Sequence, residues 1–208
     1  MFTGIVQGLA DVVALYKEEQ FMTLRIKLPI QKSDNLSIGA SIAINGTCLT
    51  VTEFNQNEVQ FDLIQETLAV TNLQSLSVGD KVNFERAARI GDEIGGHLLS
   101  GHVSAIVSID RIERTDNNCV MWMSAPDNLM QYILPKGFVA LNGCSLTIGE
   151  VAGSRFNVYL IPETLSATSF GTAIVGDQIN LEVDPQTQAV VDTVNRHLIN
   201  SSTTNLKL

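Results

Sequence analysis

Cys48 and Ser145 are the first residues in this chain that could do chemistry, because they hold equivalent places in two copies of one turn. Asn45-Gly46-Thr47-Cys48-Leu49-Thr50-Val51 returns 97 residues later as Asn142-Gly143-Cys144-Ser145-Leu146-Thr147-Ile148. Of the three cysteines, Cys119 and Cys144 read as buried structural thiols, whereas Cys48 replaces a hydroxyl in a duplicated polar turn. The same offset sets Ser41 against Phe138, Ile5 against His102 and Gly39 against Lys136, so each half has polar groups that the other lacks. Duplicated pockets doing unequal work diverge at their chemical groups. A thiol with a nearby hydroxyl and histidine suits nucleophilic or proton-transfer chemistry in one half, and a lysine suits charge stabilisation in the other.

Three segments recur in register and outline the two pockets. Gly4-Ile5-Val6 matches Gly101-His102-Val103, and Cys48-Leu49-Thr50 matches Ser145-Leu146-Thr147. Asp62-Leu63-Ile64-Gln65-Glu66-Thr67 matches Tyr159-Leu160-Ile161-Pro162-Glu163-Thr164. Hydroxyls and main-chain groups at strand ends suit a neutral heteroaromatic ring with amide-like edges better than a charged ligand. The plainer reading is that turns and cores recur in any duplication. His97 and His102, with Asp92 and Glu93 near in sequence, lack a second ligand pair and point to no metal site. A histidine at a pocket mouth can still shuttle a proton near neutral pH. Lys136 reads as a surface charge or as the start of the second pocket.

The elements that must carry these residues are strands. Residues 5–16, 22–28, 40–44, 47–54, 59–63 and 81–84 are short apolar runs, β-branched or alternating, punctuated by Gly, Asn and Asp. The pattern predicts a small antiparallel barrel, and the offset predicts a second one. Val78-Gly79-Asp80 and Val175-Gly176-Asp177 feed each closing strand, and Pro29 and Pro126 each precede a brief helix, over residues 30–38 and 127–134. The expected division is a first barrel over residues 1–96 with its linker at 86–96, a second over 97–184, and a helix with its tail over 185–208. Asp184 suits an N-cap and Pro185 the first helical position. Val190, Val194 and Leu198 then form a narrow apolar stripe, for packing on the barrel or on copies of itself.

Composition narrows the partners. The 208 residues carry a net charge of -9, which argues against nucleic acid, an anionic membrane surface or a phosphorylated substrate. No Walker-type loop appears, no run approaches a membrane span, and the start does not read as a signal peptide, so a cytoplasmic protein with free thiols is expected.

The marks of a known family complete the reading. They are Met-Phe-Thr-Gly-Ile-Val at the start, Gly95-Gly96-His97-Leu98-Leu99-Ser100-Gly101-His102 at the junction, both Asn-Gly-x-x-Leu-Thr turns, both Glu-Thr-Leu segments, and Asp184-Pro185-Gln186-Thr187-Gln188. From Met1 to about Leu198 the chain resembles the lumazine-binding repeat family of the riboflavin synthase α chains. The resemblance implies a mainly β fold of two homologous six-stranded antiparallel closed barrels with a C-terminal α-helix. It implies a homotrimer joined by those helices, with active sites between subunits, the N-terminal barrel of one facing the C-terminal barrel of another.

The implied reaction is the last step of riboflavin biosynthesis. Two molecules of 6,7-dimethyl-8-ribityllumazine dismutate by four-carbon transfer, giving riboflavin and 5-amino-6-(ribitylamino)uracil without any cofactor. By motif position Cys48, Ser41 and His102 serve the N-terminal site, and Lys136, Ser145 and Thr147 the C-terminal one. Asp184, His97 and Phe2 join the catalytic set. Where many members carry Asp, this chain has Asn142, which hydrogen-bonds but has no acid–base function. Related proteins bind lumazine or flavin as optical antennae, which is the alternative function. A flavin-binding barrel of a reductase would need a nucleotide domain that is missing here. Association with lumazine synthase stays open.

Overall fold

The structure is a computed structural model that describes residues 1–205. Twelve strands form two closed barrels. The first comprises β1 (Leu9–Lys17), β2 (Phe21–Lys27), β3 (Ser41–Ile44), β4 (Thr47–Asn55), β5 (Glu58–Ile64) and β6 (Lys81–Arg86). The second comprises β7 (Ala105–Thr115), β8 (Asn118–Ser124), β9 (Phe138–Leu141), β10 (Cys144–Ala152), β11 (Arg155–Leu160) and β12 (Gln178–Val183). Neighbouring strands run β1-β2-β5-β4-β3-β6 around the first barrel and follow the equivalent circuit around the second. All of the pairings are antiparallel. The expected barrels are therefore present, and each strand starts or ends within a few residues of its apolar run. The exception is the first run, whose opening residues 5–8 leave the sheet.

Closure follows from alternation and from bulges. Along β2 the burial alternates from Phe21, with Met22, Leu24 and Ile26 turned inward. The register slips between Val12 and Ala14 and between Val51 and Glu53, and at the equivalent Ile109/Arg111 and Ile148/Val151. An extra residue bends and twists a strand, and the shared positions bend both sheets alike. The interiors are filled by residues such as Phe61 and Phe84 in one barrel and Phe156 and Met121 in the other. Each such burial stabilises by about 1.5–3 kcal/mol.

Two helices follow β5 and β11 where the sequence reading expected none: α1 (Gln65–Val70) and, after the four-residue α2 (Asp127–Met130), α3 (Pro162–Ala167). Six residues are too few to show a 3.6-residue periodicity, although Pro162 at the first helical position marked one start. The helices expected over 30–38 and 127–134 are single turns, at Ile30–Lys32 and in α2.

The Asn-Gly turns have a different task from the one their repetition suggested. Asn45 (φ 45°) and Gly46 (φ 78°) match Asn142 (φ 44°) and Gly143 (φ 78°), the left-handed pairs of tight two-residue hairpins. The turns meet back to back between the barrels, where a Cβ on Gly46 would lie 2.5 Å from the Gly143 nitrogen. Around them the Asn83 amide donates to Asn142 O (2.9 Å) and the Asn180 amide to Asn45 O (2.8 Å). Asn142 Oδ1 accepts from Asn180 N (2.9 Å) and Asn72 Nδ2 (3.1 Å). Each bond is worth about 0.5–1.5 kcal/mol, and each buried amide left unpaired would cost more. Asn142 is thus a seam residue. It needs hydrogen bonds and no carboxylate.

The C-terminal helix α4 (Pro185–Asn205) starts where expected, with Thr187 N and Oγ1 donating to Asp184 (3.0 and 2.6 Å). It lies along the second barrel through Val191, Tyr132 Oη on Asp192 (2.5 Å) and Asn195 on Gln131 (3.0 Å). Val190 and Val194 are 64% and 52% exposed, so the stripe does not pack on its own barrel. The expected tail beyond residue 205 lies outside the described residues. Among them no helix is long and apolar enough to cross a membrane.

Candidate active site in two clefts with exchanged walls

Each pocket wall comes partly from the other half of the chain. The segments before β1 and β7 act as straps, joined edge to edge where Phe2 and Leu99 exchange backbone hydrogen bonds (2.9 and 3.0 Å). The first strap crosses to the second barrel, where Gly4 O accepts from Ser145 N (2.8 Å). The second crosses to the first barrel, where Gly101 O accepts from Cys48 N (2.8 Å). Gly4 (φ 75°) and Gly101 (φ 80°) are left-handed there, and a Cβ would lie 2.5 Å from Ser145 Cβ or 2.6 Å from Cys48 Cβ. Only glycine fits both demands.

The first cleft, of about 420 Å³, is lined by Thr47, Cys48, Glu66, Thr67, Val70, Thr71 and the strap residues Gly101, His102 and Val103. The second, of about 230 Å³, is lined by Cys144, Ser145, Glu163, Thr164, Ala167, Thr168 and Gly4, Ile5 and Val6. The two linings correspond residue for residue under the 97-residue offset. Thr71 and Thr168 were missed from sequence. Each hydroxyl donates to the carbonyl of Thr67 or Thr164 four residues earlier (2.7 and 2.6 Å), and that repeated Thr-x-x-x-Thr was the available signal.

Several candidates surround these clefts. Ser41 pairs with Thr50, one outward rung from the Ala43–Cys48 pair, and Phe138 pairs with Thr147 at the equivalent rung. His97 is 92% buried, since 8% of it is exposed. Its ring stacks on Phe138 with centroids 5.0 Å apart, and its Nδ1 is hydrogen-bonded to Ser145 Oγ at 2.6 Å. Burial pushes the His97 imidazole below its usual range, against the pull of Asp184. Burial pushes the Asp184 carboxyl up, but hydrogen bonds from Thr187 and Gln186 and the nearby His97 outweigh it and hold the group below its usual range. The Cys144 thiol is pushed up to about 12 by burial and then by the Glu85 charge, which leaves it inert.

Other candidates lie apart. Leu49, Leu63, Leu146 and Leu160 point into the barrels and present no side chain to a ligand. Phe2 is 1% exposed, packed between the barrels with Leu99, Ala43 and Ala140, so it supports the straps and does not reach a cleft. Asp62 accepts from Thr23 (3.1 Å) on the outer sheet, and Tyr159 reaches Glu150 (3.4 Å). Ile64, Gln65, Ile161 and Pro162 are exposed at the starts of α1 and α3. Lys136 (φ 68°) takes the turn position of Gly39 ahead of β9, exposed and outside the lining of the second cleft. Among the described residues no cluster of three or more His, Cys, Asp or Glu is placed to hold a metal.

Comparison with known proteins agrees with this geometry. A model of the lumazine binding domain matches residues 3–87 and again 100–184. The riboflavin synthase of Escherichia coli (strain K12) is 54% identical over 199 residues, covering 95% of this chain and 93% of that one. That of Bacillus subtilis (strain 168) is 36% identical over 184 residues, covering 88% and 85%. Crystal structures of LumP complexed with riboflavin and with 6,7-dimethyl-8-(1'-D-ribityl) lumazine superpose with TM-scores of 0.83 and 0.80. They are 27% and 26% identical, each covering 88% of this chain and 99% of LumP. The exchanged clefts and the twice-matched repeat carry one conclusion: the chain belongs to the lumazine binding domain family.

Proposed function

We propose that this chain is a riboflavin synthase, converting two molecules of 6,7-dimethyl-8-ribityllumazine into riboflavin and 5-amino-6-(ribitylamino)uracil with no cofactor. The observation that carries the reading is the pair of clefts with one backbone and different side chains. A reaction between two identical molecules in different roles needs two similar seats with unequal chemistry. One lumazine gives up a proton from its C7 methyl, the carbanion adds to the other ring, and a four-carbon unit changes hands. Holding both rings in contact supplies about 7–11 kcal/mol of the acceleration. At the first cleft Cys48, Ser41 and His102 offer a nucleophile, a hydroxyl and a proton shuttle. At the second, Ser145 backed by His97 and Asp184 polarises its ring and moves protons, while Lys136 and Thr147, exposed outside the lining, are available to a ring held against another subunit.

The family resemblance puts the N-terminal barrel of one subunit against the C-terminal barrel of another, and two clefts that share no lining residue within one chain are compatible with it. The Val190–Val194 stripe on α4 supports a homotrimer, working in the cytoplasm, as the assembly that brings them together. Functionally the chain divides into residues 1–96, 97–184 and the helix from 185. Incubation with 6,7-dimethyl-8-ribityllumazine alone tests the reading: riboflavin and the uracil should appear together, one of each per two lumazines. Binding without riboflavin formation would make this an antenna-type protein. Val194→Asp should give monomers by light scattering and lose turnover while each chain still binds riboflavin.

A further inference from the structure

Glu85 and Glu182 are buried carboxylates, 3% and 4% exposed, at equivalent places in the closing strands of the two barrels. Neither lines either of the two clefts, although Glu85 borders a separate cavity of about 550 Å³ beside Thr3 and Ile5. Glu182 Oε1 accepts from Ser100 N (2.8 Å) and Ser100 Oγ (2.7 Å), and Oε2 from Gly101 N (3.1 Å). Glu85 repeats the arrangement with Thr3 N (2.6 Å), Thr3 Oγ1 (2.8 Å) and Gly4 N (3.0 Å). A carboxylate that accepts three bonds from two successive residues fixes both the place and the direction of that backbone. Those residues lead directly to His102 in one strap and Ile5 in the other.

The straps cross, so the control crosses too. We infer that Glu182, rooted in the second barrel, positions the wall of the first cleft, and that Glu85, rooted in the first barrel, positions the wall of the second. Each is a positioning residue for the opposite barrel. Glu182 sets Gly101 O against Cys48 N and holds His102 over the first cleft. Glu182 also stands two residues before Asp184, whose charge acts on His97, the hydrogen-bond partner of Ser145 in the second cleft. Burial pushes both carboxyls above their usual range, and the strap hydrogen bonds offset only part of it. Burying two carboxyls at such a cost fits groups that serve geometry.

The inference rests on the proposed function only for what the clefts hold, and its test does not depend on turnover. Cys48 is half-buried, whereas Cys119 and Cys144 are buried, so a thiol reagent on the native full-length protein reads the first cleft. A Cys48→Ser control sets the background. Glu182→Gln should raise the Cys48 labelling rate about tenfold, as expected for loss of one limb of a charged hydrogen-bond set. Glu85→Gln should leave that rate within about twofold of the parent, its effect falling on the second cleft. Equal acceleration by both variants, or none from Glu182→Gln, would overturn the crossed assignment. If Glu182→Gln does not fold, Ser100→Ala removes a single donor from the same set; it should move labelling in the same direction by less, and an unchanged rate would likewise overturn it. Riboflavin should slow labelling of the parent and protect Glu182→Gln less. Failure to protect the parent counts against the proposed function, while the ligand-free rates still decide the inference.

Discussion

The first cleft carries its histidine at the rim and the second carries one under cover. In the first, Cys48 is half-buried and His102 exposed on the strap, and the residue after β6 is Ala87. In the second, equivalent backbone carries Ser145, Ile5 and Asp184, and the histidine, His97, comes from the connector and is enclosed by Phe138. The same fold therefore offers one half-buried thiol with an exposed histidine on the strap, and one preorganised Ser–His pair beside a carboxylate. Shape was inherited twice; protonation behaviour was not.

The largest test of that contrast is Asp184→Ser. Serine still caps α4, so stability should hold within a few degrees in Tm, while removal of a charge with a proton-transfer role should cut riboflavin formation about a thousandfold. Installing Ala87→Asp should not restore it. Unchanged turnover would reduce Asp184 to a helix cap and erase the asymmetry at this position.

Gly101→Ala should come next, at about a hundredfold loss of turnover, since a Cβ there forces the strap from Cys48 by an ångström or more. Gly4→Ala makes the matching change against Ser145, and the two variants should lose riboflavin binding at different clefts. Identical binding defects would mean that the clefts are not separable.

The smallest effect is on pH dependence. His97 has its folded pKa depressed from the ordinary 6.5 by burial, so it contributes stability above that value which is lost as pH falls through the depressed one. The parent should lose more Tm between pH 7.5 and 5 than His97→Gln, whose amide can still bond Ser145. An equal slope would move the acid sensitivity elsewhere.

Much of this was legible in the sequence because a duplication repeats its strand pattern and turns at one offset. The strand runs, the two barrels and the start of α4 follow from alternation and capping. What the offset could not reveal is which copy of a segment lies beside which barrel: Gly4 looks like a partner of Cys48 by half, and only the crossing places it on Ser145. Glu85 and Glu182 escaped notice because a buried carboxylate interrupts the apolar pattern that marks a strand. The Asn-Gly turns drew attention as pocket elements, yet their glycines serve backbone contact across the seam, with Cys48 and Ser145 just beyond. Phe2 sits under the straps for the same reason, since neither its type nor its position tells a core aromatic from a ligand-stacking one.

The crossing of the straps also limits how the molecule can be divided. One repeat by itself would own a barrel and a strap, but the strap would have no wall to complete and its own cleft would stand open on one side. The smallest unit with a finished seat is therefore a pair of repeats. Joining them in one chain replaces a concentration-dependent encounter with an intramolecular one, and it frees each copy to change its side chains while sharing the other's scaffold.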